Sequence, residues 1–214
     1  RTHLWSRACR NTSNNTRAPH GGVTHDWVKS HGGIDNGGYD TIDPCIARTF
    51  EVQAGNTEPA LSLTDGHPTF TEGGAKATIF SATNASPIEA LQSLDEVVLT
   101  VTNVTDGANE VLTIDKRGFS LVNGGATTLT NGYAVSIVLG GTTATVTIDT
   151  SGATATNINT LIDGLLYENT SNDPTAANRV VTIDSVKDSG GTTPGDDAPN
   201  PAIASTVTVE AVNT

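Results

Sequence analysis

Acidic side chains in turn-like stretches are the residues of this sequence whose type and spacing suggest chemistry. Five of them stand in or beside turn-forming segments rich in glycine: Glu72, Asp184, Asp188, Asp196 and Asp197. Ca²⁺ takes about six to eight oxygen ligands, which carboxylates and the backbone carbonyls of such turns supply. The pattern therefore predicts Ca²⁺ as a cofactor that stiffens one end of the fold. The alternative is solvated aspartate, which favours tight turns through local hydrogen bonds.

The chain contains two cysteines, Cys9 and Cys45, both within the first fifty residues. In a secreted chain such a pair predicts one disulfide bond that closes a long loop. Two free thiols are the alternative, because the secreted compartment is itself an inference.

Nucleophilic catalysis needs a nucleophile, a base and an orienting group that converge on one point. Residues 51–214 contain a single histidine, His67, within the turn-like sequence Asp-Gly-His-Pro. Neither a Gly-x-Ser-x-Gly nor a His-Glu-x-x-His motif occurs in the sequence. We therefore expect no catalytic residues and no enzymatic activity.

The composition of the chain disfavours some classes of binding partner. The chain has 214 residues and a formal net charge of −12 at pH 7, which disfavours binding to nucleic acid or to an anionic membrane surface. No apolar run is long enough to cross a bilayer, so we expect no membrane insertion. Few charged residues and many threonines and glycines are typical of extracellular β-proteins.

The sequence divides into two unlike segments near residue 50. Residues 1–50 contain both cysteines, both tryptophans and four of the five histidines, but little periodicity. We interpret this segment as an irregular N-terminal arm or linker. Residues 51–214 carry nineteen of the twenty-three acidic residues and only five of the eleven lysines and arginines. We interpret them as one acidic domain.

Residues 51–214 show the period-two alternation of β-strands. In residues 96–104, Val97, Leu99 and Val101 share one face, and the two runs 133–139 and 143–149 flank a Gly-Gly-Thr loop typical of a hairpin. We count about eight strands, with others at 77–80, 111–115, 119–122, 180–184 and 203–212. Apolar spacing over 158–166 predicts one helix of two or three turns, capped by Thr156 or Asn157. The predicted fold is an all-β antiparallel sandwich with one short helix.

Five stretches in this order resemble the cadherin-like or immunoglobulin-like repeats of giant bacterial extracellular adhesins. The stretches are residues 56–59 (NTEP), 70–74 (FTEGG), 99–107 (LTVTNVTDG), 161–171 (LIDGLLYENTS) and 210–214 (EAVNT). The resemblance spans residues 56–214 and implies the cadherin-like form of the sandwich. The linkers of that family carry Asn-Asp, whereas this chain has Asn-Thr at 56–57 and 213–214. The missing carboxylates argue against calcium between successive repeats.

The resemblance implies a structural role outside the cell or on its surface. The chain would be a subunit or repeat of a bacterial adhesin or fibre that associates with itself or with neighbouring repeats. Residues 1–50 would donate a strand to the sheet edge of the next subunit. The alternative is a calcium-dependent module that binds a surface glycan or protein without catalysis.

Overall fold

The computed structural model describes residues 56–190 and 201–212. This part of the chain contains thirteen strands, one α-helix and one 3₁₀ turn at Gly107–Asn109. The strands are β1 (Ala60–Asp65), β2 (Thr69–Thr71), β3 (Ala77–Thr78), β4 (Phe80–Ser86), β5 (Leu94–Thr102), β6 (Glu110–Ile114), β7 (Arg117–Ser120), β8 (Gly124–Thr128), β9 (Ala134–Gly140), β10 (Thr143–Ala153), β11 (Leu166–Asn169), β12 (Asn178–Asp188) and β13 (Ile203–Glu210). The helix α1 spans Ala155–Asp163. The predicted arm, residues 1–50, lies outside the described residues.

The strands form two larger sheets and a two-stranded ribbon. Seven strands pair in the order β2-β13-β12-β5-β10-β9-β8, and four pair in the order β3-β11-β6-β7. The ribbon pairs β1 with β4. All these pairings are antiparallel except the pairing of β13 with β2, which is parallel. The predicted all-β antiparallel sandwich with one short helix is confirmed.

One hydrophobic core holds the sheets together, and strand alternation decides which side chains enter it. In β5, Val97, Leu99 and Val101 share one face, as the sequence predicts, and are fully buried, whereas Val98 and Thr100 on the other face are half-buried. The ring of Phe70 in β2 meets the ring of Tyr167 in β11 edge to face, with 5.9 Å between the centroids. This contact joins the seven-stranded sheet to the four-stranded sheet.

The predicted hairpin is the β9–β10 pair, but its loop is one residue shorter than expected. Gly140 pairs with Thr143, so only Gly141 and Thr142 lie between the strands. Gly141 has a φ of 65°, which glycine adopts without steric cost and which two-residue hairpin loops require.

The helix has the expected length of two to three turns, but its boundaries lie earlier in the sequence. Its N-cap is Thr154, whose hydroxyl accepts the Asn157 N–H at 3.2 Å, so the predicted caps Thr156 and Asn157 are wrong. Gly164 ends the helix, and Leu166 belongs to β11. Asn159 and Asp163 accept the N–H groups of Ala85 and Thr83, at 2.8 and 3.0 Å, and so attach α1 to β4.

The prediction of about eight strands is too low. The strands predicted from alternation omit β1, β2, β8 and β11, although the resemblance implies a strand at 70–74 and another within 161–171. The predicted run 77–80 is split between β3 and β4. β2 has three residues and β8 reads Gly-Gly-Ala-Thr-Thr, so neither shows an alternating apolar pattern. In the described part, no helix has the length and apolarity that crossing a membrane requires.

Candidate functional site

A buried ion pair lies at the start of β12. The side chains of Arg179 and Glu110 are both fully inaccessible to solvent. The guanidinium donates from Nε to Oε2 of Glu110 at 2.8 Å and from Nη2 to Oε1 at 3.1 Å. This two-pronged geometry matches the planar fork of arginine to a carboxylate, which lysine cannot reproduce.

Neighbouring groups complete the hydrogen bonds of the Glu110 carboxylate. The Tyr167 hydroxyl donates to Oε2 at 2.8 Å, and the N–H groups of Thr105 and Asp106 donate to Oε1 at 2.7 and 2.9 Å. Across the described part of the chain, no buried side-chain polar atom lacks a hydrogen-bond partner. A buried charge is tolerated when it is paired and hydrogen-bonded in this way.

Asp106 lies beside this ion pair and is more exposed to solvent than Glu110 or Arg179. Its carboxylate accepts from Asn169 Nδ2 at 2.6 Å, from the Thr175 N–H at 2.9 Å and from the Thr175 hydroxyl at 2.5 Å. Arg179 Nη2 donates to it as well, at 3.2 Å. The cluster therefore fastens the 170–178 connection to the loop between β5 and β6. We call Asp106, Glu110, Tyr167, Asn169, Thr175 and Arg179 the arginine cluster.

The surroundings shift the pKa values of Asp106, Arg179 and Tyr167. Burial would raise the pKa of Asp106, but hydrogen bonds from Thr175 and Asn169 and the charge of Arg179 together hold it below its ordinary value. Burial would lower the pKa of Arg179, but the hydrogen bonds to Glu110 and the negative charge of Glu110 outweigh burial, so the pKa of Arg179 is raised. Burial and the Glu110 charge raise the pKa of Tyr167, so its hydroxyl remains a donor.

The sequence analysis missed this cluster. Its members come from four segments, and Arg179 is 69 residues from Glu110. The one local signal is that a charged residue begins each of two apolar runs, Glu110 before Val111 and Arg179 before Val180. The arrangement suits structural cross-linking, because its charged groups are paired, and the side chains of Arg179 and Glu110 are inaccessible to solvent.

The second strand, β2, and the last strand, β13, of the described part are joined in parallel. Residues Thr69–Thr71 pair with Thr208–Glu210. Backbone bonds extend the pairing on both sides, since the Thr208 N–H donates to the Pro68 carbonyl and the Glu72 N–H donates to the Glu210 carbonyl, both at 2.9 Å. We call the pairing of residues 67–72 with residues 205–212 the terminal clamp.

Side chains add to the clamp at both ends. The His67 N–H donates to the Ser205 hydroxyl and the Thr206 N–H donates to His67 Nδ1, each at 3.1 Å. At the other end, Oε2 of Glu72 accepts the Val212 N–H at 2.8 Å. His67 Nε2 lies 2.8 Å from the Asp65 carboxylate, which orients the imidazole ring.

The first and the last residues that the structure describes, Asn56 and Val212, lie at opposite ends of the sandwich. The amides of Asn56 and Gln92 lie 3.0 Å apart, beside the start of β5, and Leu94 of β5 pairs with Asp188. At the other end, Asn178 pairs with Thr208, just before the chain reaches Val212. Because β12 spans the eleven residues between these ends, they are separated by about 35 Å.

The predicted calcium ligands are distributed over both ends. Glu72 lies in the terminal clamp, at the end where β12 begins, whereas Asp188 lies at the far end of β12 and accepts the Gly190 N–H at 2.8 Å. Asp184 lies between them, at an irregularity in the β12–β5 register. Glu72 and Asp188 are thus too far apart to ligate the same ion. No group of three or more His, Cys, Asp or Glu side chains in residues 56–190 and 201–212 could hold a metal ion.

The other predicted site residues lie outside the described residues. These are Asp196 and Asp197, proposed as calcium ligands, and Cys9 and Cys45, proposed as a disulfide. Calcium binding and the disulfide therefore stay predictions.

Comparison of the sequence with models of protein families finds no matching family, and comparison with curated proteins finds no match. Functional inference therefore relies on the geometry of the fold and on the residues themselves.

Proposed function

We propose that residues 51–214 form a mechanical module of a bacterial extracellular adhesin or surface fibre. The observation that carries this proposal is the parallel pairing of the terminal clamp. The resemblance of residues 56–214 to cadherin-like adhesin repeats supports the same function. Such a module transmits tension between its neighbours and has no catalytic role.

Tension along the chain would act on the clamp in shear. The segment before β2 contains β1, which pairs with β4, and it would be pulled towards the end that holds Asn56, so the β1–β4 pair would carry load together with the clamp. The segment after β13 would be pulled the opposite way. Force then runs along both strands, and the hydrogen bonds between them share it. Each bond contributes only about 0.5–1.5 kcal/mol at equilibrium, but in shear they must break together rather than one by one.

The arginine cluster would support the clamp at the end where the chain leaves. Arg179 lies in β12, which pairs with β13, the strand that receives the tension. Its bonds to Glu110 and Asp106 tie β12 to the loop between β5 and β6. Tension on β13 would therefore spread into the centre of the seven-stranded sheet.

Self-assembly is the second part of the proposal, and it concerns the edge strand β8. Among the described strands, β8 pairs only with β9 and forms one edge of the seven-stranded sheet. Its sequence contains no charged residue and no proline, the usual protections of an exposed edge. Such an edge could receive a strand donated by residues 1–50 of another copy. Negative-stain microscopy tests this directly, because filaments of the full chain should vanish when residues 1–50 are deleted.

Single-molecule pulling in two directions tests the mechanical role. In the first arrangement, handles are fused to the two ends of the chain, which puts the clamp in shear. In the second, cysteine handles replace Ala134 and Asp149, which face each other in the β9–β10 pair, after Cys9 and Cys45 are changed to serine. That arrangement pulls β9 and β10 apart one bond at a time. We expect the first arrangement to need clearly the larger rupture force, and equal forces would refute the proposal.

A further inference from the structure

A cleft of about 400 Å³ opens between the turn that joins β6 to β7, the loop that joins β8 to β9, the end of β10 and the helix. Its lining is mostly polar, and the buried side chains of Ala153 and Leu161 are among the lining residues. The half-buried ring of Tyr133 lines it, and Asp115, Asn131 and Asn157 bring exposed polar groups to it. The volume lies within the range of about 300–1,000 Å³ that is usual for small-molecule clefts.

Hydrogen bonds hold the lining side chains in place. Asn131 Oδ1 accepts the Tyr133 N–H at 3.1 Å, and Asn157 Nδ2 donates to the Tyr133 hydroxyl at 3.3 Å. Asn157 is itself fixed, because its Oδ1 accepts from the Thr154 hydroxyl at 2.8 Å. Exposed polar side chains that are already ordered lose less conformational entropy when a ligand binds.

Several polar groups in the cleft remain able to bind a ligand. The Asp115 carboxylate forms no hydrogen bond or ion pair with another described residue, and the same holds for Nδ2 of Asn131. The Tyr133 hydroxyl accepts from Asn157, and no described residue accepts its proton. The cleft therefore presents one charged acceptor, one amide donor and one hydroxyl donor beside an aromatic ring.

These groups select the class of ligand. A single carboxylate supplies too few oxygens for Ca²⁺, and the acidic protein repels anions. An aromatic ring among polar groups, most of them neutral, suits a molecule with both C–H faces and hydroxyls. We propose that this cleft binds a neutral pyranose, one sugar unit of a glycan. Sugar binding by this cleft does not depend on the proposed mechanical role, because either proposal can fail without the other.

The test titrates the full chain with methyl glycosides of glucose, galactose, mannose, N-acetylglucosamine and fucose, followed by saturation-transfer NMR. At least one sugar should bind with a Kd on the order of 1 mM, as expected for a single exposed sugar subsite. Asp115→Asn and Tyr133→Phe should each weaken that sugar about fivefold, the effect of losing one hydrogen bond. Asp173→Asn removes an exposed carboxylate elsewhere on the surface and should leave the affinity unchanged.

Two results would overturn the proposal. One is that none of the five sugars shows saturable binding up to about 50 mM. The other is that a sugar binds equally well to Asp115→Asn, Tyr133→Phe and the unmodified chain. The melting temperature of each variant shows whether it is folded. If Tyr133→Phe is not folded, the affinity of Asp115→Asn alone tests the proposal, because the Asp115 side chain is exposed.

Discussion

Replacing Arg179 with methionine is the most informative perturbation of the fold. The Arg179 side chain makes six hydrogen bonds, two to Glu110 and one each to Asp106, Thr105 and the carbonyls of Thr175 and Ala177. Without it, the buried Glu110 carboxylate keeps only the donors from Tyr167 and two backbone N–H groups. Removing one partner of a buried ion pair costs about 3–5 kcal/mol, and we expect Arg179→Met to lose stability within that range.

Urea denaturation measures the effect, with the slope of the transition used to check that cooperativity is unchanged. Arg117→Met is the matched control, because Arg117 is exposed and its guanidinium lies 5.4 Å from the centroid of the Phe119 ring. It should lose at most about 0.5–1 kcal/mol. Arg179→Lys should fall between the two, since it keeps the charge but loses the two-pronged geometry.

A double variant separates lost packing from uncompensated charge. Glu110→Gln in the Arg179→Met background removes the buried charge that has lost its partner, so stability should partly recover. A loss of less than about 1 kcal/mol in Arg179→Met would refute the reasoning, as would no recovery in the double variant.

Three further predictions concern Asp106, the β6–β7 turn and calcium. Asp106 has a folded-state pKa below its ordinary value of 3.8, so its stabilisation is present above about pH 4 and is lost as the pH falls through the folded value. Asp106→Asn should therefore cost about 1–3 kcal/mol at pH 7, and the difference from the unmodified chain should shrink in denaturation series below pH 4. Lys116 adopts a φ of 67° in the two-residue turn, so Lys116→Gly should raise stability by about 0.5–1 kcal/mol, whereas Lys116→Ala should not. If calcium binds, about 100 Kd of Ca²⁺ should stabilise the fold by about 2.7 kcal/mol over a chelator, and an unchanged melting temperature would remove calcium from the account.

Local pattern predicted the longer elements of the fold. β5 and the β9–β10 pair alternate over seven or more residues, so their buried faces could be assigned from the sequence. β2 and β8 are too short or too rich in glycine and threonine to show such a period. The last turn of the predicted helix was wrong, because Leu165 and Leu166 continue its apolar spacing although the chain turns at Gly164.

The two features on which the proposed function depends could not be predicted, because both join residues far apart in the sequence. The terminal clamp brings together His67 and Thr206, 139 residues apart, and no local pattern marks a parallel pairing of that kind. Arg179 and Asp106 likewise meet only when the fold is complete. The acidic residues predicted as calcium ligands do not include Asp106 and Glu110, which are paired with an arginine within the chain.

The rupture force of two single-residue variants, pulled from the two ends of the chain, tests the central claim most directly. His67→Ala removes the acceptor of the Thr206 N–H within the terminal clamp. Asn123→Ala removes Oδ1, which accepts the Leu139 N–H at 2.7 Å. Leu139 lies in β9, a strand that the tension does not reach first. Each variant loses one hydrogen bond between a side chain and the backbone, and His67→Ala also loses the contact of the imidazole with Asp65. If the clamp resists tension, His67→Ala ruptures at a lower force and Asn123→Ala at the force of the unmodified chain. Equal forces for all three proteins, or a weaker Asn123→Ala alone, would contradict the account.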